Sequence, residues 1–354
     1  MTDWRLPMKG IFVTDGLLVP ASRFRCEQFF RYFQQAGVET ELRYAYGADY
    51  NTAINHWWGG AYKFLGRLRR GVQEVTALSD TDFVFLQRIA FPQTAVFEEL
   101  LFRQKVPMIL DFDDSLWIDG SGAANAARER AFIRAAELSD WLIAGNSYLA
   151  DFVGMPTKTT IIPTVIDTDI YHPTVRSAGP VVIGWMGTAG NFPSLERVVP
   201  ALKQVLKDRP DVRIRIVSNS DFLPLRGVQG VEQIRWTPER EVDFLRGFDI
   251  GLMPLIDLAV TRGKCAFKMI QYMAVGTSVV VSDVGANRTV FDGGDPGFLL
   301  DTFDWFDALI TLIDDPGLRE IMGRRGRARV VSAYSISSVL PKYLEIFEDV
   351  SRMR

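Results

Sequence analysis

Short apolar runs recur along this chain, separated by longer amphipathic stretches, and the whole alternation occurs twice. A strand that is apolar on both faces must be covered on both faces. Helices in the connections are the usual cover, so the pattern predicts parallel sheets flanked by helices. In the first set, residues 10–14, 83–86, 107–111, 141–144 and 160–163 read as strands. Residues 22–36 have helical spacing with Phe29, Phe30 and Phe33 on one side; Gly37 ends that helix, and a further strand follows. In the second set, 180–187, 212–217, 250–253 and 278–281 read as strands, and 194–207 as a helix with Leu195, Val198, Val199, Leu202 and Leu206 on its apolar side. A turn-rich stretch at 171–179, with Pro173, Ser177 and Gly179, separates the sets. The expectation is an α/β chain of two Rossmann-like αβα domains, 1–175 and 176–335, followed by a helix in 336–354. Open parallel sheets bind ligands at the carboxyl ends of their strands, and two such edges suit an enzyme with two substrates.

At 354 residues the chain is too long for one ordinary core. A net charge of −3 excludes a protein built to coat nucleic acid. The two cysteines, Cys26 and Cys265, and the two histidines, His56 and His172, are too few and too scattered for a disulfide framework or a zinc centre. Residues 1–9 lack the apolar core of a signal peptide, and no apolar run approaches the ~20 residues that span a bilayer. The expected location is cytoplasmic, including the inner face of the membrane, with any membrane contact peripheral. Residues 57–70 mix Trp57, Trp58, Tyr62 and Phe64 with Lys63, Arg67, Arg69 and Arg70. That mixture fits a helix lying on an anionic surface or gripping a lipid acceptor, and equally a helix with a packed face and a solvated basic face.

The residues with chemical signals fall beside these strands. Residues 263–282 read as loop, helix, glycine stop at Gly276 and strand. The free N–H groups at such a helix start favour an anion, and Lys264 and Lys268 add charge there, unless both are plain surface lysines. Gly187, Thr188, Gly190 and Asn191 form a turn from a strand into a helix, which either cradles a phosphate or is simply tight. Asp111, Asp113 and Asp114 follow a strand. They fit a magnesium or manganese site, a phosphatase nucleophile of the dehalogenase type, or helix capping. Arg23 and Arg25 stand where the first loop enters the first helix; a guanidinium there fits an anionic acceptor or a leaving diphosphate, unless both are plain surface arginines.

Residues 145–149, 162–169, 249–255, 271–280, 284–287 and 293–299, in that order, resemble the conserved segments of family 4 glycosyltransferases. The resemblance covers roughly 140–350 and the N-terminal third loosely. It implies the GT-B fold, two Rossmann-like domains facing each other across a cleft, with an N-terminal acceptor domain and a C-terminal nucleotide-sugar domain. The final helix would pack back on the N-terminal domain. It implies sugar transfer from a UDP- or GDP-sugar to a glycan, lipid or small-molecule acceptor, with retention and no metal or other cofactor. The donor would lie against Gly187, Thr188, Asn191, Lys264, Phe267 and Lys268, with its ribose on Gln271 and its base against Ser218, Asn219 and Trp236. Asp113 stands where the family often has a histidine beside the reacting carbon. This chain departs from the family pattern in having Gln271 and Gly263 at its two glutamate positions. A non-catalytic protein that keeps the fold and binds a sugar nucleotide, or assists an active transferase, is the alternative.

Overall fold

The computed structural model describes residues 8–353 except 17, 48, 54, 55, 120, 121, 176–178, 302 and 303. Ser177 of the expected linker and residues 1–7 lie outside that set. The strands are β1 (Met8–Gly16), β2 (Val38–Tyr46), β3 (Phe83–Gln87), β4 (Met108–Phe112), β5 (Trp141–Ala144) and β6 (Thr159–Ile161), then β7 (Val182–Met186), β8 (Arg213–Ser218), β9 (Val231–Arg235), β10 (Ile250–Met253), β11 (Ser278–Ser282) and β12 (Gly297–Leu300). They form two six-stranded sheets, ordered β2-β1-β3-β4-β5-β6 and β12-β11-β10-β7-β8-β9, with every pairing parallel.

The chain divides into two compact units, 1–164 with 339–354, and 165–338. The division precedes the expected linker because of what the connecting segment touches. Ile166 bridges Ser335, and the Tyr171 hydroxyl donates to Glu241, so 165–175 is held by the second unit.

In the first unit every residue of β3 and β4 is buried, their apolar runs together with Gln87 and Asp111. The core is aromatic: Phe12 stacks with Phe33 and Phe85 at centroid distances of 5.7 and 5.1 Å. The final helix, Ile336–Ser351, adds to it, Phe347 stacking on Phe83 at 4.5 Å and Tyr343 meeting Phe29 at 4.9 Å. The helix expected over 22–36 is broken into Pro20–Arg25, a 3₁₀ turn Glu27–Phe29 and Phe30–Gln35. At the break the Gln28 side-chain amide donates to the Phe24 carbonyl (2.6 Å), doing the work of a backbone N–H.

Helix Gly59–Val75 inverts ordinary amphipathicity. Its buried positions are Gly59, Gly66, Arg70, Gly71 and Glu74. A Cβ on Gly66 would sit 2.1 Å from the Tyr46 ring and one on Gly71 2.3 Å from the Phe97 ring, so the glycines set how closely the helix approaches. Its apolar residues, meanwhile, face solvent: Phe64 is 57% exposed and Leu65 61%, with the preceding Trp57 at 95%.

In the second unit, β7, β8, β10 and β11 pack Ile183, Ile214, Ile216, Leu252 and Val280 into a core with Leu195, Leu202 and Leu309. The helix expected over 194–207 is two helices, Phe192–Glu196 and Val199–Asp208, the second beginning with Pro200 in its first turn. Helix Phe267–Ala274 ends as its glycine predicts. Gly276 has φ +75°, its N–H bonds the Met273 carbonyl, and that of Thr277 bonds Tyr272, both at 3.0 Å.

Candidate functional site

In the second unit the chain runs from β7 outward to β8 and β9, then crosses to the other side of β7 to make β10. The carboxyl ends of β7 and β10 are therefore its topological switch point, where adjacent connections diverge and leave a crevice. Gly187 is the first residue beyond β7, and its N–H bonds the Val217 carbonyl at 3.0 Å. The turn is braced by side chains. Asn219 Oδ1 accepts from the Ala189 N–H (2.9 Å) and Asn191 Nδ2 donates to Thr188 Oγ1 (3.1 Å). Ser218 is buried and directs its hydroxyl to Asn219 (3.4 Å), so it supports the turn from below.

Helix Phe267–Ala274 is fixed against the same turn. Its Tyr272 hydroxyl accepts the Met186 N–H at 3.0 Å, and burial raises that phenol above its ordinary range. Lys268, a turn earlier, lays its chain against Gly187 and its ammonium 5.8 Å from the Trp185 ring centroid. The helix begins from Ala266, a non-glycine residue with φ +53°, a conformation that costs of order 1 kcal/mol and turns the loop abruptly into the helix. The structure thus brings Gly187 and Lys268 together at the switch point, with Thr188 and Asn191 in the same turn. Lys264 and Phe267 lie half-buried in the loop and helix start alongside.

Trp236 and Gln271, expected at the base and ribose, converge on a residue that sequence reading missed. Glu241 Oε2 accepts from Trp236 Nε1 at 3.0 Å, and Oε1 accepts from Gln271 Nε2 at 3.3 Å and from the Tyr171 hydroxyl. Glu241 stands in a charged run, Glu239, Arg240, Glu241, that reads as a solvated helix start. Only the fold buries it.

The first unit has its own switch point, between β1 and β3, and it is filled with charge. The fully buried Arg70 donates to Asp15 beyond the middle of β1 (2.7 Å), to Glu74 (3.2 Å) and to the Gln87 carbonyl (2.9 Å). Arg88, directly after β3, has φ +69° and donates to Asp113 Oδ1 from Nε (3.0 Å) and Nη2 (2.8 Å), reaching Asp114 as well. Gln87 Nε2 adds a 3.3 Å bond to Asp113. Burial pushes the Asp113 carboxyl up, but Arg88 and Arg25 together outweigh it and hold it below the usual carboxylate range. Asp113 is an ionised, braced carboxylate at a strand's carboxyl end, suited to steadying positive charge and unsuited to donating a proton.

One expected acceptor residue is corrected. Arg25 is 1% exposed. Its Nε donates to both Asp111 oxygens (3.1 and 3.2 Å), its Nη2 also bonds Asp111, and its Nη1 donates to the Ile162 carbonyl (2.7 Å). A buried guanidinium must satisfy its donors internally, so Arg25 belongs to the core with Asp111 and does not face an acceptor. Arg23 is half-buried, its guanidinium 4.8 Å from the Phe24 ring centroid. Among the described residues, no three His, Cys, Asp or Glu side chains are grouped to hold a metal ion.

The family described as Glycosyl transferases group 1 matches residues 180–315, the segment that carries the Gly187 turn, Glu241 and the helix with Lys268. The chain has the GT-B fold, and its 180–315 segment resembles the group 1 glycosyltransferases. Its structure aligns along the whole GT-B fold with the Anabaena HepE protein solved with UDP and glucose, covering 97% of this chain and 100% of that one at TM-score 0.72 and 13% identity. It aligns likewise with a Thermosynechococcus elongatus sucrose-phosphate synthase, covering 99% and 100% at TM-score 0.73 and 14% identity. At such identities the likeness is one of fold. In sequence this GT-B chain is 30% identical over 163 residues to a phosphatidyl-myo-inositol mannosyltransferase of Mycobacterium leprae, and 29% over 168 residues to that of Mycobacterium tuberculosis. The match takes in 44% of this chain and spans only 42% of the length of the Mycobacterium leprae relative.

Proposed function

We propose that this protein transfers a sugar from a nucleoside-diphosphate sugar, held by the second unit, to a glycan, lipid or small-molecule acceptor. The observation that carries the reading is the meeting of the Gly187 turn, Lys268 and the start of helix Phe267–Ala274 at the switch point, inside the stretch matched by the family. Backbone N–H groups, a helix start and a lysine are the groups that stabilise a diphosphate as it leaves. We assign Gly187, Thr188, Asn191, Lys264, Phe267 and Lys268 to the diphosphate and sugar, Gln271 to the ribose, and Trp236 with the Ser218–Asn219 loop to the base. We assign Asp113 the role of steadying positive charge on the transferred sugar, and Arg23 the binding of the acceptor. The donor is a UDP- or GDP-sugar, the transfer proceeds with retention, and the amides and lysines carry the leaving charge without a metal. The mycobacterial relatives are named for a lipid acceptor, and the exposed apolar face of helix Gly59–Val75 supports peripheral contact with an anionic membrane.

The test is a thermal-shift titration of UDP, GDP, ADP, CMP and dTDP, with and without magnesium, on the wild type and Lys268→Ala. One of UDP or GDP should raise the melting temperature, and the variant should need roughly 10- to 100-fold more of it, the worth of one charge-assisted bond. Equal shifts in both proteins would remove the assigned donor site.

A further inference from the structure

The chemistry around Glu241 is more ordered than a structural ion would need. The side chain is 4% exposed at the start of helix Glu241–Arg246. Donors to it come from separate segments, among them Tyr171 from the stretch before β7, Trp236 just beyond β9, and Gln271 from the helix after the donor loop. An indole N–H can only donate, and both Glu241 oxygens act as acceptors here. Gln271 must therefore offer its amide nitrogen to Glu241, which turns its Oε1 away. Without such a partner the two orientations of a glutamine amide are nearly equal in shape. Gln271 Oε1 has no hydrogen bond among the described residues. Gln271 also lies three positions after Lys268, on the same side of the helix. In a nucleoside diphosphate the group one step beyond the phosphates is the ribose.

We propose that Glu241 is a positioning residue for the donor: it holds the Gln271 amide in the single orientation that presents Oε1 as acceptor to a ribose hydroxyl. This assignment rests on the donor-domain reading above. It makes a glutamate at position 271 unfavourable in this chain, because two carboxylates would then meet where the 3.3 Å bond now lies.

The experiment measures dissociation constants by calorimetry for UDP and GDP and for their 2′-deoxy and 3′-deoxy counterparts. In the wild type, one deoxy form of the nucleotide that binds should be weaker by roughly three- to tenfold, the worth of one neutral hydrogen bond. In Glu241→Gln the partner can accept or donate, the Gln271 amide can turn, and that ratio should fall towards one. A role confined to stability would lower the melting temperature and leave the ratio unchanged. Gln271→Glu should bind more weakly than the wild type. The double variant Glu241→Gln with Gln271→Glu keeps one carboxylate among the same donors and should restore both affinity and the deoxy ratio; it carries the comparison if Glu241→Gln alone folds poorly. A wild-type ratio of one, an unchanged ratio in Glu241→Gln, or Gln271→Glu binding as tightly as wild type would each overturn the assignment while the donor domain stands. A wild type that binds neither nucleotide overturns the donor-domain reading first, and this assignment with it.

Discussion

Gly187 has an ordinary φ, so backbone freedom is not what places a glycine there. A Cβ at that position would lie 2.6 Å from Lys268 Cε and 2.9 Å from the Trp185 ring. The residue is small so that a lysine can cross it. Gly187→Ala should displace Lys268 and crowd the buried Trp185 ring. Affinity for the bound nucleoside diphosphate is expected to fall by roughly tenfold, with a lowered melting temperature of the free protein, as calorimetry and a thermal scan would show. The spacing of Gly187 from its strand was legible in the sequence, and so was the left-handed glycine at 276. Glu241 was not, because nothing in a run of charged residues says which one the fold will bury. Arg25 misled for the same reason. It stands at the mouth of the first loop in sequence, yet its guanidinium turns inward to Asp111, 86 positions away.

At the scale of elements, helix Gly59–Val75 shows what a buried face can be made of. It docks through glycines and through Arg70, which donates to Glu74 Oε1 and to Asp15. Glu98, from the neighbouring helix Val96–Arg103, is buried as well; its Oε1 accepts the Ala90 N–H at 2.9 Å, and Oε2 has no partner among the described residues. Burial raises both Glu74 and Glu98 above the ordinary carboxylate range, and each charge raises Glu74 further against the pull of Arg70. A carboxyl whose folded pKa is raised binds its proton more tightly in the native state. Its stabilising contribution is complete below the unfolded pKa and is lost as the pH rises through the folded value. Stability should therefore decline as the pH rises above the ordinary glutamate range, and Glu98→Gln should flatten that decline, as urea midpoints compared at acidic and neutral pH would read. A steeper decline in the variant would contradict this account. β9 was hidden in the sequence for a related reason: its residues, Val231, Glu232, Gln233, Ile234 and Arg235, are only partly covered at a sheet edge, so no apolar run marks it.

At the scale of the whole molecule, the last segment of the chain completes the first unit. Phe347 touches Phe12, Phe33, Phe83 and Phe85, residues more than 250 positions earlier. Phe347→Ala should cost the first unit about 3–5 kcal/mol, measurable as a lowered urea midpoint, whereas a loss under 1 kcal/mol would mean the helix is dispensable. The surface of the same unit carries the opposite expectation. Replacing Trp57, Phe64 and Leu65 together by serine should leave the melting temperature within a degree or two, since exposed apolar groups contribute little to folding. The same variant should abolish most cosedimentation with vesicles of ~30% phosphatidylglycerol, and equal pelleting of both proteins would exclude this face as the contact.

The sequence by itself determined what depends on neighbours along the chain. Apolar runs with amphipathic connections allow little but parallel sheets covered by helices, and the Gly276 stop follows from local backbone geometry. The ordered group 1 segments were legible because they are contiguous. Tertiary structure alone decided which polar side chains are interior: Arg25 with Asp111, Arg70 with Glu74 and Asp15, Arg88 with Asp113, and Glu241 beneath Trp236, Tyr171 and Gln271. Burying an ion is tolerable only when its partners arrive at the right distance. Those partners lie up to 86 residues away in sequence and are brought to hand by sheet order, a quantity no local pattern carries.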